Sequence, residues 1–213
     1  LFPYTTLFRS KRRDCIKMSW ITNYDAAQRE LLMQKVQMQM SERRFRHVLG
    51  VEETAVALAA KYGADEAKAS IAALTHDYAK ERPNDEFELI IRRDGFDLAL
   101  LNYGNEIWHG LVGADIVQRE LAIDDEEILQ AIRVHTTGAA KMSLLDKIIY
   151  VADYIEPGRD FPGVKEAREI ALVDLDAAVA YETKHTLLHL IEQEHKIYPK
   201  TLETYNQWVV NQK

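Results

Sequence analysis

The chain has 213 residues, of which 47% are hydrophobic and 29% charged; 27 Lys+Arg face 34 Asp+Glu, for a formal net charge of -7. A chain of this size and composition can bury a core without disulfides or a structural metal, and its negative balance argues against sequence-independent binding to nucleic acid or an anionic membrane. The one cysteine, Cys15, excludes an internal disulfide and a thiolate zinc cluster, which fits a protein of the reducing cytoplasm.

Residues 1–17 stand apart. LFPYTTLFRS at Leu1–Ser10 reads as a translated library adapter, and it runs into an unpatterned basic stretch that ends at Lys17. We expect a non-native leader; the alternative, an Arg-rich transit peptide, is weakened by Asp14 and by the lack of an amphipathic repeat. No apolar run approaches the ~18 residues that a membrane-spanning helix requires. From Tyr24 onward apolar residues recur at three- and four-residue spacing, without period-2 runs, so the chain is expected to be all-α.

In chain order, helices are expected over 25–40, 48–61 (stopped by Gly63), 66–79 (capped by Asp65), 85–93 and 105–121. The next is expected to start at Asp124 and end at His135. Ser143 with Asp146 imitates a capping box and opens a helix that passes Asp153 and stops at Pro157-Gly158. Stretches 164–172, 175–195 and 201–210 complete the tail. No internal repeat and no linker long enough to divide the chain is present, so 18–213 is expected to be a single helical domain.

The informative feature is where the histidines and aspartates fall. His47, His76-Asp77, His109 and His135 each sit at or near the end of an otherwise apolar expected helix, with Asp153 on a fifth. Taken singly, such a histidine is more often a hydrogen-bonded core or surface group. The intervals between them, however, each admit a separate helix, so a bundle can bring these side chains onto one pocket. Imidazole nitrogen with carboxylate oxygen suits iron, manganese, cobalt or zinc better than calcium or a thiolate-selecting metal.

Neighbouring helical residues point about 100° apart, so His76 and Asp77 can meet one ion only at a helix end or kink. A bridging Asp77 would let a second ion sit within about 4 Å, the separation that serves water activation and phosphoryl charge neutralisation. Lys80 and Arg159 flank these residues and can grip phosphate, one as a point charge and the other as a bidentate fork. Asp146, seven residues before Asp153, is a weaker candidate ligand that reads first as a helix N-terminal carboxylate. His185, His189 and His195 share a helix with Leu187, Leu188, Leu190 and Ile191 and read as structural. No GxxxxGK loop or nucleophile turn appears.

Together, Phe45-Arg46-His47-Val48, Ala73-Leu74-Thr75-His76-Asp77-Tyr78-Ala79-Lys80, Ile107-Trp108-His109-Gly110, Val134-His135-Thr136-Thr137-Gly138 and Val151-Ala152-Asp153-Tyr154-Ile155-Glu156-Pro157-Gly158-Arg159 resemble the HD superfamily of metal-dependent phosphohydrolases. More closely, they are similar to its YqeK family of symmetrical diadenosine tetraphosphate hydrolases. The resemblance implies an HD-domain helical bundle with its motif core at 44–160. By that resemblance His47, His76, Asp77 and Asp153 match the metal set, while His109 and His135 match added histidines that hold a second ion or contact phosphate. His76, Asp77, His109 and His135 are then the expected catalytic group, and Lys80, His109, His135 and Arg159 the expected substrate contacts.

The implied cofactor is one or two transition-metal ions, iron first, with manganese, cobalt or zinc as alternatives. The implied ligand is a dinucleoside polyphosphate or an ADP-like molecule; a homodimer is also implied, and neither nucleic acid nor membrane is an expected partner. Thr75 departs from the pattern, which usually has an apolar residue before the His-Asp pair. Two rival functions keep the same fold: a nucleotide or deoxynucleotide phosphohydrolase, and a non-catalytic, metal-stabilised nucleotide-sensing module. Deleting residues 1–17 should leave the thermal midpoint and the turnover rate unchanged, as read by circular dichroism and a hydrolysis assay; precipitation or lost activity of the shortened chain would contradict the leader assignment.

Overall fold

The computed structural model describes residues 24–210; the expected leader over 1–17 lies outside the described residues. Eleven α-helices and no strand occur among the described residues, in agreement with the all-α expectation. They are α1 (Ala26–Gln37), α2 (Glu42–Tyr62), α3 (Glu66–Thr75), α4 (Asn84–Arg93), α5 (Asn105–Leu111), α6 (Gly113–Leu121), α7 (Glu126–Val134), α8 (Leu144–Ile155), α9 (Val164–Ala171), α10 (Leu175–Glu192) and α11 (Pro199–Tyr205). A 3-10 turn at Leu98–Asn102 precedes α5, and a π-helical turn at Asn206–Val210 follows α11.

Most boundaries are set by capping chemistry. The side chains of Asp25, Asp65 and Asp174 accept backbone N–H groups of the first turns of α1, α3 and α10, and Ser143 with Asp146 forms a true capping box at α8. Gly63 ends α2 at φ 76°, the left-handed geometry that favours glycine.

Five expectations need correction. The second helix starts at Glu42 rather than at 48, because Ser41 Oγ accepts the Arg44 N–H and begins the helix ahead of its apolar stripe. His47 therefore lies in the second turn of α2, not near a helix end. The third helix stops at Thr75 rather than at 79; beyond it three-residue bonds from Tyr78 N to Thr75 O, Lys80 N to Asp77 O and Arg82 N to Ala79 O wind 76–82 into successive turns. The stretch 105–121 is two helices that meet at Val112, and Asp125 rather than Asp124 caps α7.

The core is one apolar cluster centred where α2 packs on α3 and α8, and where α7 packs on α3, α6 and α8. Ala69, Ala72 and Ala73 are fully buried and let neighbouring helices approach α3 closely, while Ile71, Leu74, Ile128, Ile132, Ile148 and Ile149 fill the space between. At the N-terminal side, Arg29 binds the buried carboxylate of Glu52 through two bonds of 2.6 and 2.5 Å, and Ser70 and Tyr24 extend this network. At the other side α10 covers α8 and α9, and α11 is tied down by Thr204 Oγ1 donating to Thr137 O at 2.9 Å.

Two stability measurements follow from these contacts. Gly138 has φ 61°, and a Cβ there would stand 2.5 Å from Thr204 Cγ2. Gly138→Ala should cost about 1–2 kcal/mol from the left-handed backbone alone and lower Tm by roughly 3–8 °C. Glu182 on α10 is buried with Oε2 unpartnered among the described residues, and burial, reinforced by Asp153, raises its pKa well above the ordinary 4.5. The unfolded chain thus releases this proton at lower pH than the folded one, so stability falls as pH rises from 4.5 through the raised value. Glu182→Gln should resist urea better than the parent at pH 8, and that advantage should vanish as the pH approaches 4.5.

Candidate metal centre

The bundle brings six side chains from five segments to one point. His47 comes from α2, His76 closes α3, Asp77 lies on the turn after it, His109 is on α5, His135 follows the last residue of α7, and Asp153 is near the end of α8. The early end of α3 is what makes the His76-Asp77 pair usable, since off the helix both residues turn toward the same space. Thr75 fits here because its hydroxyl donates to Ile71 O at 2.7 Å, which satisfies a polar group in a fully buried position. Ser41 fixes the turn from the far side, with its N–H and hydroxyl donating to Glu81 at 2.5 and 2.7 Å.

Gly110 sets the closest approach. A Cβ there would lie 3.2 Å from Ile132 O and 3.3 Å from Thr136 Oγ1, so its absence allows α5 and α7 to bring His109 Nε2 within 3.0 Å of His135 Nε2. The distances across the cluster are all short. His47 Nε2 is 3.1 Å from Asp153 Oδ1 and 3.6 Å from Asp77 Oδ2; His76 Nε2 is 3.5 Å from Asp77 Oδ2; His109 Nε2 is 3.3 Å from Asp77 Oδ1. The ligand atoms of His47, His76 and Asp153 lie within 4.8 Å of one another, as do those of His76, Asp77 and His135.

The tautomers follow from the hydrogen bonds. Nδ1 of His76, His109 and His135 donates to Ala73 O, Asn105 O and Ile132 O at 2.7, 2.6 and 2.7 Å. His47 Nδ1 lies 3.1 Å from the Glu156 carboxylate and donates to it. In all four rings the Nε2 lone pair is then left facing the centre, and Nε2 of His47 and of His76 is buried without a hydrogen-bond donor. Lone pairs aimed at one another and at two carboxylates are repulsive until a cation lies among them. The donor set fits a borderline transition metal held by imidazole and carboxylate.

Electrostatics agree. Burial opposes ionisation of Asp77, but in the acid range, where the imidazoles carry charge, His76, His109 and His135 hold its carboxyl well below the usual carboxylate range. Desolvation likewise works against Asp153, and there charged His47 and His76, with Arg159, hold it low. Burial and the neighbouring His135 push His109 far down, while burial and His76 bring His135 to about 4, so both rings stay neutral near pH 7 and keep a lone pair for a ligand. At His76 burial is outweighed by Asp77, which raises the pKa, a sign of the negative potential that attracts a cation.

Around this centre stand cations. Arg44 Nη1 donates to Asp77 Oδ2 at 2.8 Å, and Arg159 grips Asp153 through Oδ1 at 2.6 Å and the backbone carbonyl at 3.0 Å. Lys80 is mostly buried beside His109, Nζ 3.3 Å from Nδ1, and desolvation lowers its pKa. A cavity of about 720 Å³ opens on the His47 side and is lined by Arg43, Arg44, Arg46 and Arg159 together with Glu156 and Gly158. Asp146 is occupied in the α8 capping box, and His185 donates Nδ1 to Tyr181 O and stacks on that ring at 3.9 Å, away from the cluster. Arg44 and Glu156 escaped the sequence reading; each stood inside or beside a quoted motif, but their partners lie 33 and 109 residues away.

Residues 44–158 match the HD domain. The chain is 48% identical over 183 residues to the "Bis(5'-nucleosyl)-tetraphosphatase, symmetrical" of Bacillus subtilis (strain 168), covering 86% of this chain and 98% of that protein. The protein of the same description from Staphylococcus aureus (strain NCTC 8325 / PS 47) is 41% identical, over 78% of this chain and 87% of its own length. A crystal structure of a predicted HD superfamily hydrolase involved in NAD metabolism from Clostridium acetobutylicum superposes with a TM-score of 0.78 at 39% identity, over 86% of this chain and 97% of that one. With the matched region spanning more than half of the sequence and the His/Asp cluster lying within it, this chain belongs to the HD domain family.

Proposed function

We propose that this chain is a metal-dependent hydrolase that splits diadenosine tetraphosphate at its centre into two ADP. The observation that carries the proposal is the pairing of an inward-facing imidazole and carboxylate cluster with an arginine-lined cavity, in a chain that spans 98% of a symmetrical bis(5'-nucleosyl)-tetraphosphatase. In this reading His47, His76, Asp77 and Asp153 hold one ion, and His109 and His135 hold a second or contact phosphate. Iron is the proposed metal, with manganese, cobalt or zinc able to fill the same donors. Bound metal supplies Lewis acidity, which favours ionised water and neutralises phosphoryl oxygens.

The protein's own part is to bind and orient. The net charge of -7 repels a polyanion at long range, so capture is local and falls to Arg43, Arg44, Arg46 and Arg159 on the cavity wall. Water adds to the second phosphorus, the bond from that phosphorus to the central bridging oxygen breaks, and both products are ADP. Lys80 places a cation behind His109, whose Nε2, like that of His135, faces the centre as a lone pair, so the departing oxygen leaves as the phosphate anion of ADP. We place this activity in residues 18–213, in the cytoplasm and in a homodimer, with no nucleic-acid or membrane partner.

Product analysis by ion-exchange chromatography should give ADP alone from the dinucleotide. AMP with ATP would reject the central cut, free phosphate from mononucleotides in preference to ADP would favour the nucleotide phosphohydrolase, and binding without turnover would favour the sensing module. His76→Ala and Asp77→Ala should each lower both metal content and kcat/KM more than about 100-fold, beyond the usual cost of losing an outer partner, while helicity is kept. Arg43→Ala with Arg46→Ala should raise KM roughly tenfold, or ~1.4 kcal/mol of charge-assisted contact, with metal content unchanged.

A further inference from the structure

His47 differs from the other three histidines of the cluster in how its ring is held. His76 and His135 cap the ends of α3 and α7, where the helix carbonyls run out of intrahelical partners and are free to accept an imidazole N–H; His109, near the end of the short α5, also uses a carbonyl of its own helix. His47 sits inside α2, and its Nδ1 takes its acceptor from another element rather than from a carbonyl of its own helix. That acceptor is Glu156, the residue immediately after α8, whose side chain is 5% exposed and 3.1 Å away.

The chain is shaped around this carboxylate. Gly50 lies in the interior of α2, where glycine is among the poorest helix formers, and a Cβ there would stand 2.6 Å from Glu156 Oε2. Gly158 donates its N–H to the same oxygen at 2.5 Å, and a Cβ on it would lie 2.9 and 3.1 Å from the two carboxylate oxygens. Two side chains are thus left out around one buried carboxylate, which also faces Arg159 Nε at 3.8 Å.

We propose that Glu156 is a positioning residue: seated between Gly50 and Gly158, it fixes His47 as the Nδ1–H tautomer and strengthens Nε2 as a metal donor. This rests on the reading of His47 as a ligand. A carboxylate behind an imidazole accepts its N–H more strongly than a peptide carbonyl does, which makes the far nitrogen the better base. His47 is then the strongest histidine donor of the four, and its strength depends on a side chain rather than on the backbone.

The test measures Mn²⁺ affinity of the full chain by electron paramagnetic resonance of free Mn²⁺, the Tm of the metal-free protein, and the tautomer of His47 from imidazole ¹⁵N shifts. Glu156→Ala should weaken Mn²⁺ binding about 10- to 100-fold and convert His47 to a mixture of tautomers. Glu156→Gln keeps one acceptor oxygen and should fall between parent and Ala, with Tm close to the parent, and Gly50→Ala should weaken binding by displacing the carboxylate. Parental affinity and an unchanged His47 tautomer in Glu156→Gln and Glu156→Ala would overturn the proposal, as would a fall in Tm with no change in affinity. His76→Ala is the control: if it retains Mn²⁺, the metal reading itself fails, whereas loss there with retention in the Glu156 variants rejects only the role of Glu156.

Discussion

His109 Nε2 and His135 Nε2 stand 3.0 Å apart with their N–H groups committed elsewhere, so two lone pairs oppose each other between buried rings. Asp77 adds negative charge beside them, and His47 and His76 add further unpartnered nitrogens. Such an arrangement repels itself in low dielectric and persists only if the surround resists relaxation. The apolar bundle of α2, α3, α7 and α8 supplies that resistance, since opening the site would expose a close-packed core.

Local devices translate core packing into ligand geometry. The end of α3 at Thr75 turns Asp77 out of the helix, Gly110 lets α5 close on α7, and Arg44 and Arg159 neutralise the two aspartates from outside. The arginines serve both sides of the chemistry: they hold the aspartates in place, and their free edges line the cavity beside the centre. Binding of an anionic substrate and integrity of the donor set are therefore linked through the same guanidinium groups.

Much of this was legible in the sequence because it rests on local signals. Apolar periodicity announces the helices, Ser143 and Asp146 announce the start of α8, and the spacing of His47, His76, His109, His135 and Asp153 allows one meeting point. The start of α2 was hidden because Arg43, Arg44 and Arg46 interrupt the apolar pattern, leaving Ser41 as the main signal. The division at Val112 was hidden because its dihedrals, φ -87° and ψ -30°, remain helical, and Gly110 and Gly113 beside it do not by themselves end a helix. Arg44 with Asp77, and Glu156 with His47, are pairs made by tertiary packing, which no helical period records.

The way the rings are anchored also divides the centre by vulnerability to sequence drift. A peptide carbonyl is present whatever residue occupies the position, so substitutions at Ala73, Asn105 or Ile132 that preserve the helix leave the acceptors of His76, His109 and His135 in place. The acceptor of His47 is a side chain that a single codon change can remove, and the room around it depends on two further positions that have to stay without a Cβ. Random substitution therefore meets an uneven landscape around chemically similar ligands: three histidines whose orientation is insulated by the main chain, and a fourth whose orientation is held in common by Gly50, Glu156 and Gly158.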